Sequence, residues 1–320
     1  MNNLHVDNLR AYTQGKFYQA GRFFGAHYHE EREGFYFLLY APRARRASVV
    51  GEWNGWDPLA NPMQGLEGGF YWAFIPEAKE GQLYKYHMIG LDGKELWKTD
   101  PFAKKMQQGV EAAGILYCEK DFPWKAEINL LRESLAIYEV HLGSWKKKPD
   151  GSVYSYQELA YDLLDYVVEM GYNAIELLPV TEHPYDGSWG YQQTGYYAIT
   201  SRYGDPYDFK VFVERAHELG LAVIIDWVPC HYPKDAHGLS YFDGSALFES
   251  DYWQDAYNPQ WDTINFDFGK RHVRNFLIGS LTYLKEEFNI DGVRVDAVAH
   301  MLYRKEGTKE IHQHSEEFLK

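Results

Sequence analysis

Only two cysteines occur among 320 residues, Cys118 and Cys230, and neither stands in a C-x-x-C pair. That scarcity argues against a disulfide framework and against a cysteine-built structural zinc site. No run of lysine and arginine is longer than Lys146-Lys147-Lys148, and the formal net charge is −14. A chain this acidic lacks the cationic footprint that neutralises phosphates, so nucleic acid is a poor partner for it. No stretch approaches the ~20 apolar residues of a membrane span, and the N-terminal segment holds no apolar run of the kind a secretory signal carries. The expectation is a cytoplasmic protein without a membrane partner. Internal repeats and low-complexity linkers are also missing.

Aromatic residues, by contrast, are in excess: 17% of the chain, with 27 Tyr, 18 Phe and 10 Trp. Most should pack cores. Flat rings can also cover the C–H face of a pyranose without a charge, and ligand pockets commonly use aromatic walls. With 45% hydrophobic and 24% charged residues, the chain can bury enough for two domains.

The pattern changes near residue 125. Before it, short apolar-alternating runs end at turn residues: Phe35 to Tyr40 before Pro42, Ala47 to Val50 before Gly51, Tyr71 to Ile75 before Pro76, and Tyr84 to Ile89 before Gly90-Leu91-Asp92-Gly93. Short strands so spaced predict an all-β sandwich. After residue 130 strands and helices alternate. Strands are expected at Leu135 to Val140, Ala174 to Leu178, Ala222 to Ile225 and Gly292 to Asp296. Ser155-Tyr156-Gln157-Glu158 is a capping box opening a helix with Leu159, Leu163, Val167 and Met170 on one face, and Gly171 suits its end. Asp205-Pro206 opens a second helix and a third covers about Val273 to Phe288. Residues from Thr308 onward are read as the start of a fourth.

Repeated βα units give a parallel sheet, either doubly wound or closed as a barrel. No Gly-rich phosphate fingerprint follows the first strand, and polar residues collect at successive strand ends: Glu139 and His141, Glu182 and His183, Asp226 and His231, Arg294 and Asp296. Such ends converge on the mouth of a (β/α)8 barrel, where active sites are built. The insert at about residues 227–270 should lie over that mouth.

Two runs carry the chemistry. Asp226-Trp227-Val228-Pro229-Cys230-His231 sets an imidazole after a strand-end carboxylate. In Ile290-Asp291-Gly292-Val293-Arg294-Val295-Asp296, residues two apart point to the same side, so Arg294 and Asp296 should project together. A buried Arg there would favour the ionised carboxylate, the state that a plain salt bridge and a nucleophile both need. His231 and His237 with Asp235 are a weak metal pattern, so no metal is expected, and chemistry carried by carboxylates implies no cofactor.

These two runs resemble signature regions of the α-amylase superfamily, and the nearest resemblance within it is to the bacterial glycogen branching enzymes. The matching stretches are Tyr138 to Trp145, Leu178 to Pro184, Gly187 to Gln192, Lys234 to Leu239 and Val295 to Val298. The β-rich front, with Gly51-Glu52-Trp53-Asn54-Gly55-Trp56-Asp57 and Asp100-Pro101-Phe102-Ala103, resembles that family's N-terminal carbohydrate-binding module. The resemblance implies an immunoglobulin-like sandwich over 1–125 and the first half of a (β/α)8 barrel over 126–320. It implies an α-1,4-glucan substrate (glycogen or amylose), with Asp296 as nucleophile and Arg294 holding it ionised. Tyr191 would stack on the sugar before the cleaved bond, Asp226 and His231 would grip its hydroxyls, and Trp189 and Gln192 would also bind substrate. A debranching or trehalohydrolase-type hydrolase, and a glucan-binding chain without catalysis, are the alternatives.

Departures from that pattern concern the acid/base, a Glu at the end of the family's fifth barrel strand. After Asp296 only Glu306, Glu310, Glu316 and Glu317 remain, all where a helix is expected, so the 320 residues alone are expected to be inactive. His312 and His314 read as solvated. Cys230 and Tyr232 stand where the family usually has Gly and Phe, and His300 where Ser is common.

Overall fold

Apolar residues spaced by two and by three or four build, respectively, the front and back of the molecule. The computed structural model describes residues 6–110, 112–128 and 134–302. Glu306, Glu310, His312, His314, Glu316, Glu317 and the helix expected from Thr308 lie outside them.

The described chain opens on a helix that the sequence reading did not anticipate, α1 (Val6–Thr13). Its Leu9 and Tyr12 share one face and are buried, with the Tyr12 ring 4.4 Å from that of Phe24. Eight strands follow: β1 (Gly25–His29), β2 (Gly34–Tyr40), β3 (Arg46–Gly51), β4 (Gln64–Leu66), β5 (Phe70–Ile75), β6 (Leu83–Ile89), β7 (Glu95–Lys98) and β8 (Gly114–Ile115). They pair antiparallel in two sheets, β1-β2-β5-β4 and β3-β6-β7 with β8 added to β6. This is the expected sandwich. Trp53 is half-buried, donating from Nε1 to Asn61 Oδ1 at 3.0 Å and lying against Phe37.

Tyr84 and Tyr86, two apart on β6, reach the same carboxylate. Asp100 Oδ2 accepts from Tyr84 Oη at 2.7 Å and Tyr86 Oη at 3.2 Å, while Oδ1 accepts from the Phe102 amide at 2.9 Å. All three side chains are buried.

The second region contains β9 (Ile137–Val140), α2 (Leu142–Trp145), α3 (Tyr156–Glu169), β10 (Ala174–Leu177), β11 (Thr181–Glu182), β12 (Gly195–Ile199) and α4 (Pro206–Glu218). It continues with β13 (Ala222–Trp227), β14 (His231–Pro233), α5 (Trp253–Ala256), β15 (Tyr257–Asn258), β16 (Thr263–Asn265), α6 (Arg271–Phe288), β17 (Gly292–Val295) and α7 (Val298–Leu302). The capping box is present: the Ser155 amide donates to Glu158 Oε2 at 2.8 Å and the Glu158 amide to Ser155 Oγ at 3.2 Å. Gly171, at φ 85°, occupies the left-handed conformation that ends α3 and that a side chain would strain.

Strands β9, β10, β13 and β17 form one parallel sheet in that order, the sequential neighbour order of a barrel rather than of a sheet that reverses direction about its first strand. The central β13 is buried along its whole length, as its apolar run Ala222 to Ile225 requires. Two stretches without a strand in the sequence reading prove to be folded: β11 pairs with β12, and β14, β16 and β15 make a small sheet within the insert after β13.

The two regions share one hydrophobic core. Phe102 packs its ring 5.3 Å from Phe276 on α6, and Asn275 clasps the Phe17 backbone through two hydrogen bonds of 3.1 and 2.9 Å. Lys98 at the end of β7 donates to the Ala236 and Ser240 carbonyls of the insert. Among the described residues no helix is long and apolar enough to cross a membrane.

Candidate active site

The parallel register sets Asp226 of β13 directly beside Arg294 of β17. Asp296 follows β17 at once, and its amide donates to the Trp227 carbonyl at 2.9 Å, tying the two strand exits together. Arg294 and Asp296 do project to one side. Arg294 Nη1 donates to Asp296 Oδ1 at 2.7 Å and to Asp226 Oδ2 at 3.1 Å. The expectation of a buried arginine is corrected, however: its side chain is 45% exposed, because β17 is paired on one side only among the described residues. Tyr191 comes from the loop between β11 and β12 and donates to Asp226 Oδ2 at 2.6 Å. Gly190 before it has φ 88°, and a Cβ there would lie 2.5 Å from the Pro179 carbonyl oxygen, so this approach needs glycine.

Burial raises the carboxyl pKa of Asp226 against the pull of the Tyr191 hydroxyl and Arg294. Its other oxygen, Oδ1, is buried without a hydrogen-bond partner. His231, also buried, is lowered to about 4 by desolvation, so it is neutral at pH 7, and its Nδ1 has no partner either. Buried polar atoms are seldom left unpaired, and two of them at one strand-end site mark a place where a ligand or water completes the bonding. Glu176 has its pKa raised by burial, then by the charges of Asp226 and Glu139. The Cys230 thiol is pushed up to about 12 by burial and then by Asp296, so it is no nucleophile at neutral pH.

Around this network lies an aromatic edge. The Trp261 ring stands 4.8 Å from His231 and 4.4 Å from His300, and Gln192 Nε2 donates to the Trp261 carbonyl at 3.4 Å. Trp189 is placed differently: it is half-exposed and stacks on His141 at 5.1 Å. Sequence reasoning passed over Trp261 and Glu176. A glutamate inside the apolar run Ala174 to Leu178 was the one available signal, and Trp261 had none, since the fold of its insert decides what it touches. Cys230, His231 and Asp296 each offer one potential ligand atom, and these lie within 4.8 Å of one another.

A clamped strand-end carboxylate, a tyrosine-bound aspartate and a neutral histidine thus stand at the ends of sequentially ordered parallel strands behind a β-sandwich. Family models match each region: carbohydrate-binding module 48 (isoamylase N-terminal domain) matches residues 23–103 and the alpha amylase catalytic domain matches residues 160–264. Among curated proteins, the resemblance is to bacterial 1,4-alpha-glucan branching enzymes. The chain is 45% identical over 317 residues to the enzyme of Bacillus cereus (strain AH820), covering 95% of this chain and 49% of that one. It is 44% identical over 317 residues to the enzyme of Bacillus anthracis (strain CDC 684 / NRRL 3495), with the same coverage. The chain thus spans about half the length of the curated relatives it matches.

Solved structures share the fold at lower identity. The catalytic module of the glycogen-degrading pneumococcal virulence factor SpuA superposes with a TM-score of 0.69 at 20% identity, over 90% of this chain and 48% of that one. A protein described as an alpha amylase from Salmonella typhimurium gives a TM-score of 0.69 at 23% identity, over 90% of this chain and 45% of its own.

Proposed function

We propose that the protein is a retaining 1,4-α-glucan branching enzyme, cutting an α-1,4 link in glycogen or amylose and rejoining the segment through an α-1,6 link. The observation that carries this reading is the pair of unpartnered buried atoms, Asp226 Oδ1 and His231 Nδ1, beside the Arg294-clamped Asp296. Neighbouring hydroxyls of one glucose unit suit both, since a hydroxyl can donate to the carboxylate oxygen and can donate to or accept from the ring nitrogen.

In this mechanism the Asp296 carboxylate attacks the anomeric carbon, the glycosidic C–O bond breaks, and the leaving oxygen takes a proton from an acid. The 6-hydroxyl of a second glucan then attacks the same anomeric carbon, the ester C–O bond breaks to release the Asp296 carboxylate, and the hydroxyl proton goes to the same group, now a base. That group must sit about 5–5.5 Å from the nucleophile, and we assign it outside the described residues. Arg294 keeps Asp296 ionised and aimed, and Tyr191 presents its ring to the sugar while its hydroxyl fixes Asp226. Trp189 and Gln192 would act further along the glucan, Gln192 through the Trp261 segment. The division into 1–125 and 126–320, and a cytoplasmic location, belong to the same proposal.

The test uses the full-length protein and a fluorinated glucosyl reagent whose ester turns over slowly. Mass spectrometry should find the glucosyl group on Asp296, and amylose should acquire α-1,6 links. New reducing ends without such links would favour a hydrolase. Malto-oligosaccharide binding with neither product, and no ester, would reduce the chain to a glucan binder.

A further inference from the structure

The geometry points to a binding site for one borderline or soft divalent cation, Zn²⁺ or Cd²⁺, at Cys230, His231 and Asp296. A thiolate, an imidazole and a carboxylate are the donor set such ions prefer, and hard Mg²⁺ or Ca²⁺ would reject the sulfur. The potential ligand atoms lie within 4.8 Å of one another. Around a tetrahedral zinc the corresponding edges are about 3.3–3.8 Å, so the cluster has to close by no more than about 1.5 Å.

Separate backbone bonds hold each member in place. The Phe266 amide donates to the Cys230 carbonyl at 3.1 Å, Tyr196 Oη to the His231 carbonyl at 2.9 Å, and the Asp296 amide to the Trp227 carbonyl at 2.9 Å. A second observation points independently to a ligand: His231 is 4% exposed, yet its Nδ1 has no partner. Arg294 donates to Oδ1 of Asp296, which leaves the other carboxylate oxygen for the cation. Binding replaces the thiol proton by the metal and releases that proton to solvent; no electron moves. With one thiolate and one carboxylate the bound dication is formally neutralised. Three protein ligands leave one tetrahedral position for water or a sugar hydroxyl.

The inference does not need the glucan chemistry, because its readout is the metal itself. Cd²⁺ is titrated into the purified protein and followed by the ultraviolet thiolate-to-cadmium absorption, with circular dichroism confirming that each variant is folded. One Cd²⁺ per chain is expected, displaced by Zn²⁺. Cys230→Ser should abolish the band and Cys118→Ser should keep it. His231→Gln and Asp296→Asn should each weaken binding at least tenfold. No band in the native protein, a band that survives Cys230→Ser, or unchanged affinity in both His231→Gln and Asp296→Asn would overturn the site.

Discussion

Two buried aspartates, one in each region, are met by tyrosine hydroxyls and end in different states. In the sandwich, Asp100 has partners on both oxygens: two phenols on Oδ2 and an amide on Oδ1. In the barrel region, Asp226 crowds Tyr191 and Arg294 onto Oδ2 and leaves Oδ1 buried with none. Burial raises both pKa values, so burial alone does not distinguish them. What separates them is saturation. A carboxylate whose bonds are all met by its own chain holds the fold, whereas one with a lone pair left over is preorganised for something that arrives later, at some cost in stability.

The largest expected effect tests the chemistry at the unsaturated end. Under the branching proposal, Asp296→Asn should lower the branching rate of the full-length protein by about 10⁴-fold or more, the scale on which removal of a covalent nucleophile is felt. Asp100→Asn, assayed on the folded fraction at the same temperature, should leave the rate within about twofold. A comparable loss in both would mean that Asp100 serves the chemistry as well as the fold, and would dissolve the contrast.

Stability should reverse the order. Asp100→Ala strands the hydroxyls of Tyr84 and Tyr86 and the Phe102 amide in the core, and costs about 3 kcal/mol. Asp226→Asn removes a charge that burial disfavours and should shift stability by less than about 1 kcal/mol in either direction. Denaturant melts of the two variants against the native protein read this directly. A loss of about 3 kcal/mol for Asp226→Asn would mean that its network is structural after all.

Much of this was legible beforehand, for identifiable reasons. Strand alternation placed β2, β3, β5 and β6, and the Ser155–Glu158 box placed the start of α3, because both are local patterns with local causes. The period of two also put Arg294 and Asp296 on one side. The helix α1 was not legible: an isolated segment of eight residues gains its order from Tyr12 entering a core formed by Phe24, Phe70 and Phe102, not from its own propensity. Asp100 belongs to a legible motif, but its partners Tyr84 and Tyr86 become visible only when β6 passes beside it. The grouping of Cys230 and His231 with Asp296 depends on β13 and β17 being neighbours, a fact of topology.

Two histidines of the barrel region repeat the contrast at a smaller scale. His183 and His231 are both buried and both lowered to about 4 by desolvation, but His183 Nδ1 meets the Thr181 carbonyl at 3.0 Å while His231 Nδ1 meets nothing. Folded pKa values of about 4 against an ordinary 6.5 mean that the unfolded chain binds more protons between those limits. Each therefore makes stability fall as pH drops from about 6.5 towards 4, and contributes no pH dependence above that window. Imidazole NMR titration should find both neutral at pH 5. A saturating malto-oligosaccharide should move the His231 titration and leave that of His183 in place. Movement of both, or of neither, would break the pairing of an unpartnered ring nitrogen with ligand binding.

The smallest effects come from removing one hydroxyl at each carboxylate. Tyr84→Phe takes the 2.7 Å donor from a fully buried Asp100, leaving the 3.2 Å contact from Tyr86 to serve the same oxygen, so a loss of about 1–2 kcal/mol is expected. Tyr191→Phe takes the 2.6 Å donor from Asp226, whose Oδ2 still holds Arg294, a charged partner on a half-exposed stem that can re-aim. Its stability should change by less than about 0.5 kcal/mol, the lower end of what a single replaceable hydrogen bond contributes. The functional cost should show elsewhere, because a freed Asp226 can turn and the sugar-facing Oδ1 loses its fixed direction. Under the glucan reading this raises KM for amylose severalfold while the amount of trapped Asp296 ester at saturation stays unchanged. A fall in ester with KM intact would instead place the Tyr191 hydroxyl in the transition state.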